Sequence, residues 1–257
     1  MKSIDLNCDL GEREDLAPHV QEQLLGSVTS ANIACGAHAG SEELMRLTVG
    51  QALRRGVAIG AHPGYPDRMN FGRLAMALPL GELEASVEQQ IRTLIRIATH
   101  AGAEVRYVKP HGALYNQAAR DERLAGAIAR AVARAGRDLW LVGLAGSKML
   151  TVWSEAGLRV AAEAFADRQY EPDGTLRARA HSDAVLQDPA VAAAQALRIV
   201  LQGEAVAWNG SLVRIQAETL CVHGDNPGAV AIARAVRRRL EQSGVTVCPW
   251  HSGAGLG

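Results

Sequence analysis

The sequence has no excess of charge of either sign and no long apolar run. Its 257 residues include 27 Lys plus Arg and 27 Asp plus Glu. A balanced charge gives no overall field that would attract nucleic acid or an anionic membrane. No stretch reaches the length of a secretory signal or of a membrane-spanning helix. We therefore expect a cytoplasmic protein that acts on a small molecule, with no nucleic acid and no membrane as partner.

Cysteine and aromatic residues are scarce. The four cysteines, Cys8, Cys35, Cys221 and Cys248, lie far apart and form no C-x-x-C pair. Because free Cys is among the most buried residue types, this favours buried thiols over disulfides, zinc ligation or a Cys nucleophile. Only four Trp, four Tyr and two Phe are present. So few aromatic rings disfavour a carbohydrate groove, in which such side chains usually stack against sugars.

Known nucleotide-binding loops are absent as well. The segment GLAGSK at residues 143–148 resembles the phosphate-binding loop G-x-x-x-x-G-K-[ST] until the spacing is compared, and then it does not match. The chain also has no convincing dinucleotide-binding fingerprint. These absences leave open a nucleotide site on another polypeptide.

What the chain does contain is an alternation of short β-rich runs with longer helical patterns. This alternation, in a chain with 48% hydrophobic residues, is typical of repeated βα units around a parallel sheet. It predicts an α/β barrel that occupies residues 1–257 as a single domain. The predicted strands cover about residues 3–8, 28–35, 57–61, 105–109, 139–144, 159–165 and 219–223. The predicted helices cover about residues 41–55, 80–100, 121–136, 189–203 and 227–244. The long polar stretch at about 166–187 is predicted to be either a mobile lid over the barrel mouth or a surface excursion, and its length favours the lid.

Five of the apolar runs end in clusters of Gly, His, Asp or Asn. These clusters are DLNCDLGE at residues 5–12, ACGAH at 34–38, IGAHPG at 59–64, VKPHG at 108–112 and CVHGDN at 221–226. In a parallel barrel the carboxyl ends of all strands meet at one mouth, where active sites lie. The coincidence of five such ends predicts one shared active site.

Side chains alternate between the two faces of a strand, so their parity indicates which of them point inward. In the first strand the polar residues Asp5, Asn7 and Asp9 share one face. The same rule groups further residues in pairs: Asn32 with His38, Lys109 with His111, Glu163 with Asp167, and His223 with Asp225. We expect the first strand and each of these pairs to contribute to the barrel interior or its mouth.

At this point the motifs resemble those of a known family. The chain is similar to the LamB/YcsF family from residue 3 to about 247. The segments that carry the resemblance are DLNCDLGE, SANIACGAHAG, GVAIGAHPGYPDRMNFGR, VKPHGALYNQAA, LVGLAGS, EAFADRQYEPDGTL and VHGDNPGA, in this order. The resemblance implies a TIM-like (β/α)7 barrel related to glycoside hydrolase/deacetylase barrels. Ala37 and Cys8 differ from the residues common in the family, and residues 248–257 extend past its usual end.

The implied activity is 5-oxoprolinase (ATP-hydrolysing): ring opening of 5-oxoproline (pyroglutamate) to L-glutamate, together with 5-oxoprolinase subunits B and C. ATP, with Mg²⁺, is expected to be bound largely by those partner subunits. The chemistry calls for a base, an acid and cations. The candidates for catalysis are Asp9, His38, His62, Lys109, His111 and His223. The candidates for substrate binding are Asn7, Asn32, Glu163, Asp167, Arg168 and Asp225. Among these, Lys109 and Arg168 are expected to clamp anionic groups, and Asp225 to orient a histidine.

Two other functions remain open. The first is a metal-dependent deacetylase or amidohydrolase that acts alone on a small N-acyl or carbohydrate substrate, with metal ligands among Asp5, Asp9, His38, His62 and His223. The motifs H-E-x-x-H and H-x-x-x-H, which would make a metal more certain, are absent. The second is a non-catalytic protein that binds a sugar, a lactam or a regulatory partner. A homo-oligomer is compatible with all three functions.

Overall fold

The computed structural model describes residues 2–13, 18–226 and 228–250. In these ranges the chain forms a closed barrel of parallel strands. The strands of the described ranges, inside and outside the barrel, are β1 (Ser3–Leu10), β2 (Ser30–Ala34), β3 (Ala58–His62), β4 (Val105–Val108), β5 (Trp140–Leu144), β6 (Arg159–Phe165), β7 (Glu204–Val206), β8 (Leu212–Arg214), β9 (Thr219–Val222) and β10 (Thr246–Val247). The barrel has the order β1-β2-β3-β4-β5-β6-β9, and pairing of β1 with β9 closes it. The predicted seven-stranded barrel is therefore confirmed.

Helices connect most of the strands and cover the outside of the barrel. They are α1 (Pro18–Leu25), α2 (Glu42–Arg55), α3 (Leu80–His100), α4 (Gly112–Ala118), α5 (Glu122–Ala135), α6 (Lys148–Glu155), α7 (Pro189–Gln202) and α8 (Ala229–Gln242). The five predicted helices are all present, although Pro227, the predicted start of α8, lies outside the described residues. The short helices α1, α4 and α6 were not predicted, because about two turns give too little periodicity to recognise. No helix in the described ranges is long and apolar enough to cross a membrane.

The ends of α2 show why sequence signals located these helices. The Ser41 side chain accepts a hydrogen bond from the backbone N–H of Leu44 at 3.3 Å, as an N-cap does. Gly56 ends the helix with φ 64°, in the left-handed region that a residue with a Cβ atom avoids. Both ends of this helix were therefore encoded locally.

Strand β1 contacts three neighbours at successive levels of the barrel. Its first residues pair with β10, Asp5–Cys8 pair with β9, and Asn7–Leu10 pair with β2. Strand β10 thus extends the sheet outside the barrel and was missed in the sequence, since two residues carry no recognisable alternation. The strand that closes the barrel is also the strand that carries three polar side chains inward.

The segment 166–187, predicted as a lid, is held by hydrogen bonds and isolated strand bridges. Arg168 pairs with Val185, and Tyr170 pairs with both Leu176 and Ala207. The last of these bridges connects the segment to a hairpin formed by β7 and β8, which was not predicted. The segment is therefore an ordered structure beside the barrel mouth, and its function as a lid remains a prediction.

Candidate active site

A cavity of about 620 Å³ lies at the carboxyl ends of the barrel strands. Six of the residues predicted from the sequence line it: Asp9, His62, Lys109, His111, Arg168 and His223. Tyr115, Phe165 and several arginines complete the wall. The predicted convergence of strand ends on one cavity is therefore observed.

Lys109 lies at the base of the cavity, fully surrounded by acceptors. Its Nζ atom is 2.8 Å from Glu163 Oε1, 3.1 Å from Asp9 Oδ1 and 3.0 Å from the Sγ atom of Cys221. A fourth acceptor, Asn7 Oδ1, lies at 3.3 Å. Because an ammonium group has three hydrogens, all of them are engaged by the protein itself. Lys109 could contact a substrate anion only by giving up one of these partners.

The charges in this group stabilise one another. Burial by itself lowers the pKa of Lys109, but the negative charges nearby, that of Asp9 above all, hold that pKa well above its usual value. Burial likewise raises the pKa of Asp9, but the charge of Lys109 and the proximity of His62 outweigh it, so that the pKa lies well below the usual range. The pair is therefore ionised at neutral pH. Burial raises the pKa of the Cys221 thiol, which stays neutral.

Three of the predicted substrate-binding residues lie beneath the cavity instead of on its wall. Asn32 donates from Nδ2 to Asn7 Oδ1 and to Asp9 Oδ1, both at 2.7 Å. Asn7 donates to Glu163 Oε1 at 3.0 Å. Glu163 also accepts a hydrogen bond of 2.8 Å from the hydroxyl of Tyr115. Their polar atoms are occupied by one another, so these side chains position Asp9 and Lys109 and do not face the substrate space.

A second cluster contains three histidines and one carboxylate. The rings of His38 and His111 stack with centroids 3.8 Å apart, and His62 approaches both rings edge-on. Glu12 Oε1 lies 3.4 Å from His38 Nε2 and 3.6 Å from His111 Nε2. His38 does not line the cavity; it lies behind His111. Of this cluster, Glu12 had been quoted in a motif but given no role.

The cluster is buried, and this affects its charge. Burial and the neighbouring histidines lower the pKa of both His38 and His111 well below the usual value. Burial and the charge of Asp9 raise the pKa of Glu12 well above its usual value. The two stacked imidazoles are therefore neutral at neutral pH, with lone pairs available.

His62 has one defined hydrogen bond. Its Nδ1 atom is 2.7 Å from the carbonyl oxygen of Lys109, to which only a protonated nitrogen can donate. The other nitrogen, Nε2, lies 3.5 Å from Asp9 Oδ1. The backbone contact thus fixes the ring with Nε2 directed towards the cavity.

His223 is oriented by Asp167, which corrects the expectation that Asp225 would orient a histidine. Asp167 Oδ1 is 2.9 Å from His223 Nδ1, and Asp167 Oδ2 accepts the backbone N–H of the same residue at 3.0 Å. Burial raises the pKa of Asp167, but the charge and hydrogen bonds of His223 outweigh it and lower the pKa. A buried carboxylate behind an imidazole is the arrangement that fixes a tautomer for proton transfer.

Asp225 instead lies on the rim of the cavity between two arginines. It forms ion pairs with Arg73 and with Arg179, the latter at 3.7 Å. Burial raises the pKa of Asp225, but His223 and these arginines outweigh it and lower the pKa. Arg73 lies between β3 and α3 and Arg179 between β6 and α7, so one carboxylate joins three connecting segments.

The guanidinium of Arg168, which was expected to bind an anion, already donates hydrogen bonds to backbone carbonyl groups of the protein. Its guanidinium donates to the carbonyl oxygens of Ala184 at 3.1 Å and of Arg177 at 2.6 Å, both within segment 166–187. Burial lowers the pKa of Arg168 to about 10, so it remains charged. It lines the cavity while it holds the segment in place.

Asp5 lies deeper in the barrel, away from the groups of possible metal ligands. Its carboxylate accepts hydrogen bonds from the hydroxyls of Thr29 and Ser30, each at 2.6 Å, and of Thr219 at 2.5 Å. Among the described residues, two groups could hold a metal ion: Asp9 with Cys221 and His223, and Glu12 with His62 and His111. Neither group includes Asp5 or His38, which the sequence had suggested as ligands.

Sequence reasoning missed several residues of the site. Glu12, Tyr115 and Arg73 stand inside quoted motifs, and each follows a strand end closely enough to have been considered. Arg179 gave no such signal, because its place at the cavity depends on how segment 166–187 folds. The four cysteines are free, and Cys8, Cys35 and Cys221 are buried, as expected.

Comparison with known proteins places this chain in a family. A match to the description LamB/YcsF family covers residues 4–254. The chain belongs to the LamB/YcsF family. Among its relatives, the 5-oxoprolinase A subunit of Chloroflexus aurantiacus is 52% identical over 248 residues, which are 96% of this chain and 98% of that protein. The 5-oxoprolinase A subunit of Methylococcus capsulatus is 49% identical over 259 residues, or 98% of this chain and 99% of that protein.

Solved structures agree with the fold of this LamB/YcsF chain. The crystal structure of a lactam utilization protein from Thermus thermophilus has a TM-score of 0.88 and 44% identity, and covers 96% of this chain and 99% of that one. A polysaccharide deacetylase from Bacillus cereus has a TM-score of 0.53 and 17% identity, over 100% of this chain and 96% of that one. The second likeness shows a shared barrel fold and nothing about activity.

Proposed function

We propose that this chain is the A subunit of an ATP-dependent 5-oxoprolinase, which opens 5-oxoproline to L-glutamate together with subunits B and C. The relatives at 52% and 49% identity, which bear the name of the 5-oxoprolinase A subunit, support a hydrolase with a role in 5-oxoproline metabolism. The observation that carries the proposal is the cavity, where ionised Lys109 and Asp9, oriented His62 and the His223–Asp167 pair meet under a rim of arginines.

The chemistry explains why such a cavity suits an activated lactam. Opening the ring breaks the amide C–N bond and adds water, so nitrogen must leave with a proton. Phosphorylation of the carbonyl oxygen weakens the amide resonance, and ATP bound with Mg²⁺ mainly on the partner subunits would supply that phosphoryl group. Arg73 and Arg179 on the rim match its charge. Addition of one water and departure of the nitrogen give the acyl phosphate of glutamate, and a second water releases phosphate, so the site needs a base for water and an acid for nitrogen.

The structure suggests which side chains perform the proton transfers. His223 has Asp167 behind it and lines the cavity, so it can take a proton from water or give one to the departing nitrogen. His62 and His111 also line the cavity and can hold the water. Lys109 supplies a fixed positive charge at the base of the cavity, which would stabilise negative charge on the oxygen that the attacking water supplies.

A metal-dependent deacetylase or amidohydrolase acting alone is the alternative, favoured by the two groups of possible metal ligands. Both contain nitrogen, oxygen or thiol donors that suit a borderline divalent ion. Such an ion, when bound, polarises a carbonyl group and makes bound water more acidic. This alternative requires neither ATP nor partner subunits.

One experiment separates the two functions. Glutamate release from 5-oxoproline is measured for this chain alone and with subunits B and C, each with and without ATP and a chelator. The proposal expects release only with all three subunits and ATP. Release by this chain alone, without ATP and abolished by the chelator, would establish the alternative instead.

The same assay tests the site. In the complete complex, Lys109→Met should lower glutamate release by at least about 10²-fold, because it removes the charge at the base of the cavity. Lys148→Met is the matched control, since Lys148 lies on the surface and pairs with Glu122. Full turnover by the Lys109→Met complex would remove Lys109 from the mechanism.

A further inference from the structure

The histidine cluster has buried polar atoms that no group of the protein satisfies. Glu12 Oε1, both ring nitrogens of His38, Nε2 of His62 and Nδ1 of His111 are buried without a hydrogen-bond partner. The side chains of Glu12, His62 and His111 are each at least nine-tenths buried. Unpaired buried polar atoms are costly, and so many in one place indicate a missing ligand.

The chemistry of these atoms points to a cation. Glu12 Oε1 is an acceptor, and His62 Nε2 carries a lone pair because the Nδ1–H donates to the carbonyl of Lys109. His111 Nε2 lies 3.6 Å from the same Glu12 oxygen. Ligand atoms from these three side chains all lie within 4.8 Å of one another. Potential ligand atoms that lie together with no hydrogen bond between them are what a metal ion requires.

We propose that Glu12, His62 and His111 bind one divalent transition-metal ion of borderline softness, such as Zn²⁺ or Co²⁺, with an open coordination position facing the cavity. Two imidazoles and one carboxylate are a donor set that such ions accept. His62 and His111 line the cavity, whereas Glu12 lies behind it. Three protein ligands with one open side are the arrangement of catalytic rather than structural sites.

The surroundings fix the ligand atoms. The carbonyl of Lys109 holds His62 by Nδ1, and a hydrogen bond of this kind commonly orients a metal-binding histidine. A Cβ atom at Gly72 would lie 3.0 Å from His111 Nδ1, so that edge of the ring faces backbone and leaves Nε2 for the metal. The ring of His38 stacks parallel to that of His111. The lone pairs of the two rings are therefore parallel and do not converge, so one ion cannot be coordinated by both rings.

The other group of possible ligands is a weaker candidate, because a cation already lies within it. Lys109 Nζ is 3.1 Å from Asp9 Oδ1 and 3.0 Å from Cys221 Sγ. A metal ion bound to Asp9, Cys221 and His223 would be repelled by this ammonium at close range. Glu12 Oε1, by contrast, has no hydrogen-bond partner.

Metal binding is tested directly, on tag-free full-length chain stripped with a chelator that is then dialysed away. Zn²⁺ and Co²⁺ are titrated separately by isothermal calorimetry, and retained metal is counted by mass spectrometry after desalting. One ion per chain is expected. Glu12→Gln and His111→Gln should each weaken binding by more than about 10²-fold. His100→Gln, on the exposed end of α3, is the matched control and should bind as the unmodified chain does.

The second group is tested in the same titration. Cys221→Ser and His223→Gln should keep their metal, and loss of binding in these variants but not in Glu12→Gln would overturn the assignment. So would a stripped, folded chain that binds neither ion. Thermal unfolding gives an independent readout, since a bound ion raises the midpoint in the unmodified chain as its concentration rises and should not do so in Glu12→Gln. These measurements involve no glutamate release, so they stand or fall separately from the proposed function.

Discussion

At the scale of single residues, neighbouring polar side chains in this barrel divide into those that face the cavity and those that hold them. Asn7 and Asn32 satisfy each other and the base of the site, while Asp9 and His62 reach the cavity. Strand parity predicted that Asn7, Asp9 and Asn32 point to the barrel interior or its mouth, and the structure brings their polar atoms together there. Parity does not tell how deep along the barrel axis an inward side chain lies. It therefore could not separate the side chains that face the cavity from those that hold them in place.

The first residue-scale prediction concerns Asp167. Asp167→Asn keeps an acceptor for the backbone N–H of His223 but turns an N–H towards the ring, which favours the wrong tautomer. We expect kcat in the complete complex to fall by about 10²-fold or more, with KM little changed. Steady-state kinetics measures both. Asp188→Asn, at the N-cap of α7, is the control; equal kcat values for Asp167→Asn and the unmodified chain would contradict a positioning role.

The second residue-scale prediction concerns Asp5. Burial raises the pKa of its carboxyl group from 3.8 to about 6. A carboxyl that holds its proton more tightly in the folded state favours folding when protonated, so its contribution falls as pH rises from about 4 to 6. The loss is at most about 3 kcal/mol. Asp5→Asn should remove this slope, as urea unfolding at a series of pH values would show. Asp138→Asn, on an exposed side chain, should keep it; an unchanged slope in Asp5→Asn would refute the assignment.

At the scale of elements, the segment 166–187 depends on arginine contacts. Arg177 pairs with Glu171 at 3.1 Å and Asp183 at 2.7 Å, and its guanidinium lies 4.5 Å from the ring centre of Trp208. These contacts hold the segment beside the hairpin of β7 and β8. None of them was visible in the sequence, because each joins residues whose proximity arises from irregular backbone.

We therefore expect Arg177→Ala to loosen this segment without unfolding the barrel. Chymotrypsin should cut near Tyr170 faster than in the unmodified chain, while the thermal midpoint changes little. Arg159→Ala is the matched control, since Arg159 also combines an ion pair with a ring contact, to Asp138 and Trp140, but outside the segment. Unchanged cleavage in Arg177→Ala would show that other contacts, such as those of Arg168, suffice.

At the scale of the whole molecule, the seven barrel strands and the cavity position could be predicted, since each strand end carries its own turn residues and polar groups. The closure could not be read from any local pattern, because it joins β1 to β9 across most of the chain. The pairing of His223 with Asp167 could not be predicted for the same reason. The two residues follow different strands, β9 and β6, and only the register of these strands decides which carboxylate contacts the imidazole ring.

Closure leads to a prediction about truncated chains. A chain that ends at Gly244 loses β10 and the buried Val245 but keeps the β1–β9 pairing, so it should unfold cooperatively at a lower urea concentration. A chain that ends at Ala217 lacks β9 and leaves β1 and β6 with open edges, so cooperative unfolding should be lost. Circular dichroism during urea titration distinguishes the two. Cooperative unfolding of the shorter chain would show that closure is dispensable.

The pairing of β1 with β9 also sets an order of events during synthesis. The ribosome makes Asn7 and Asp9 on β1 long before it makes Cys221 and Val222, the β9 partners of Asn7 and Cys8. Until then the inward polar groups of β1 have no wall on one side and stay in contact with water. A nascent chain that stops short of β9 therefore lacks one wall of the site, and chemical competence arrives only once β9 has been made.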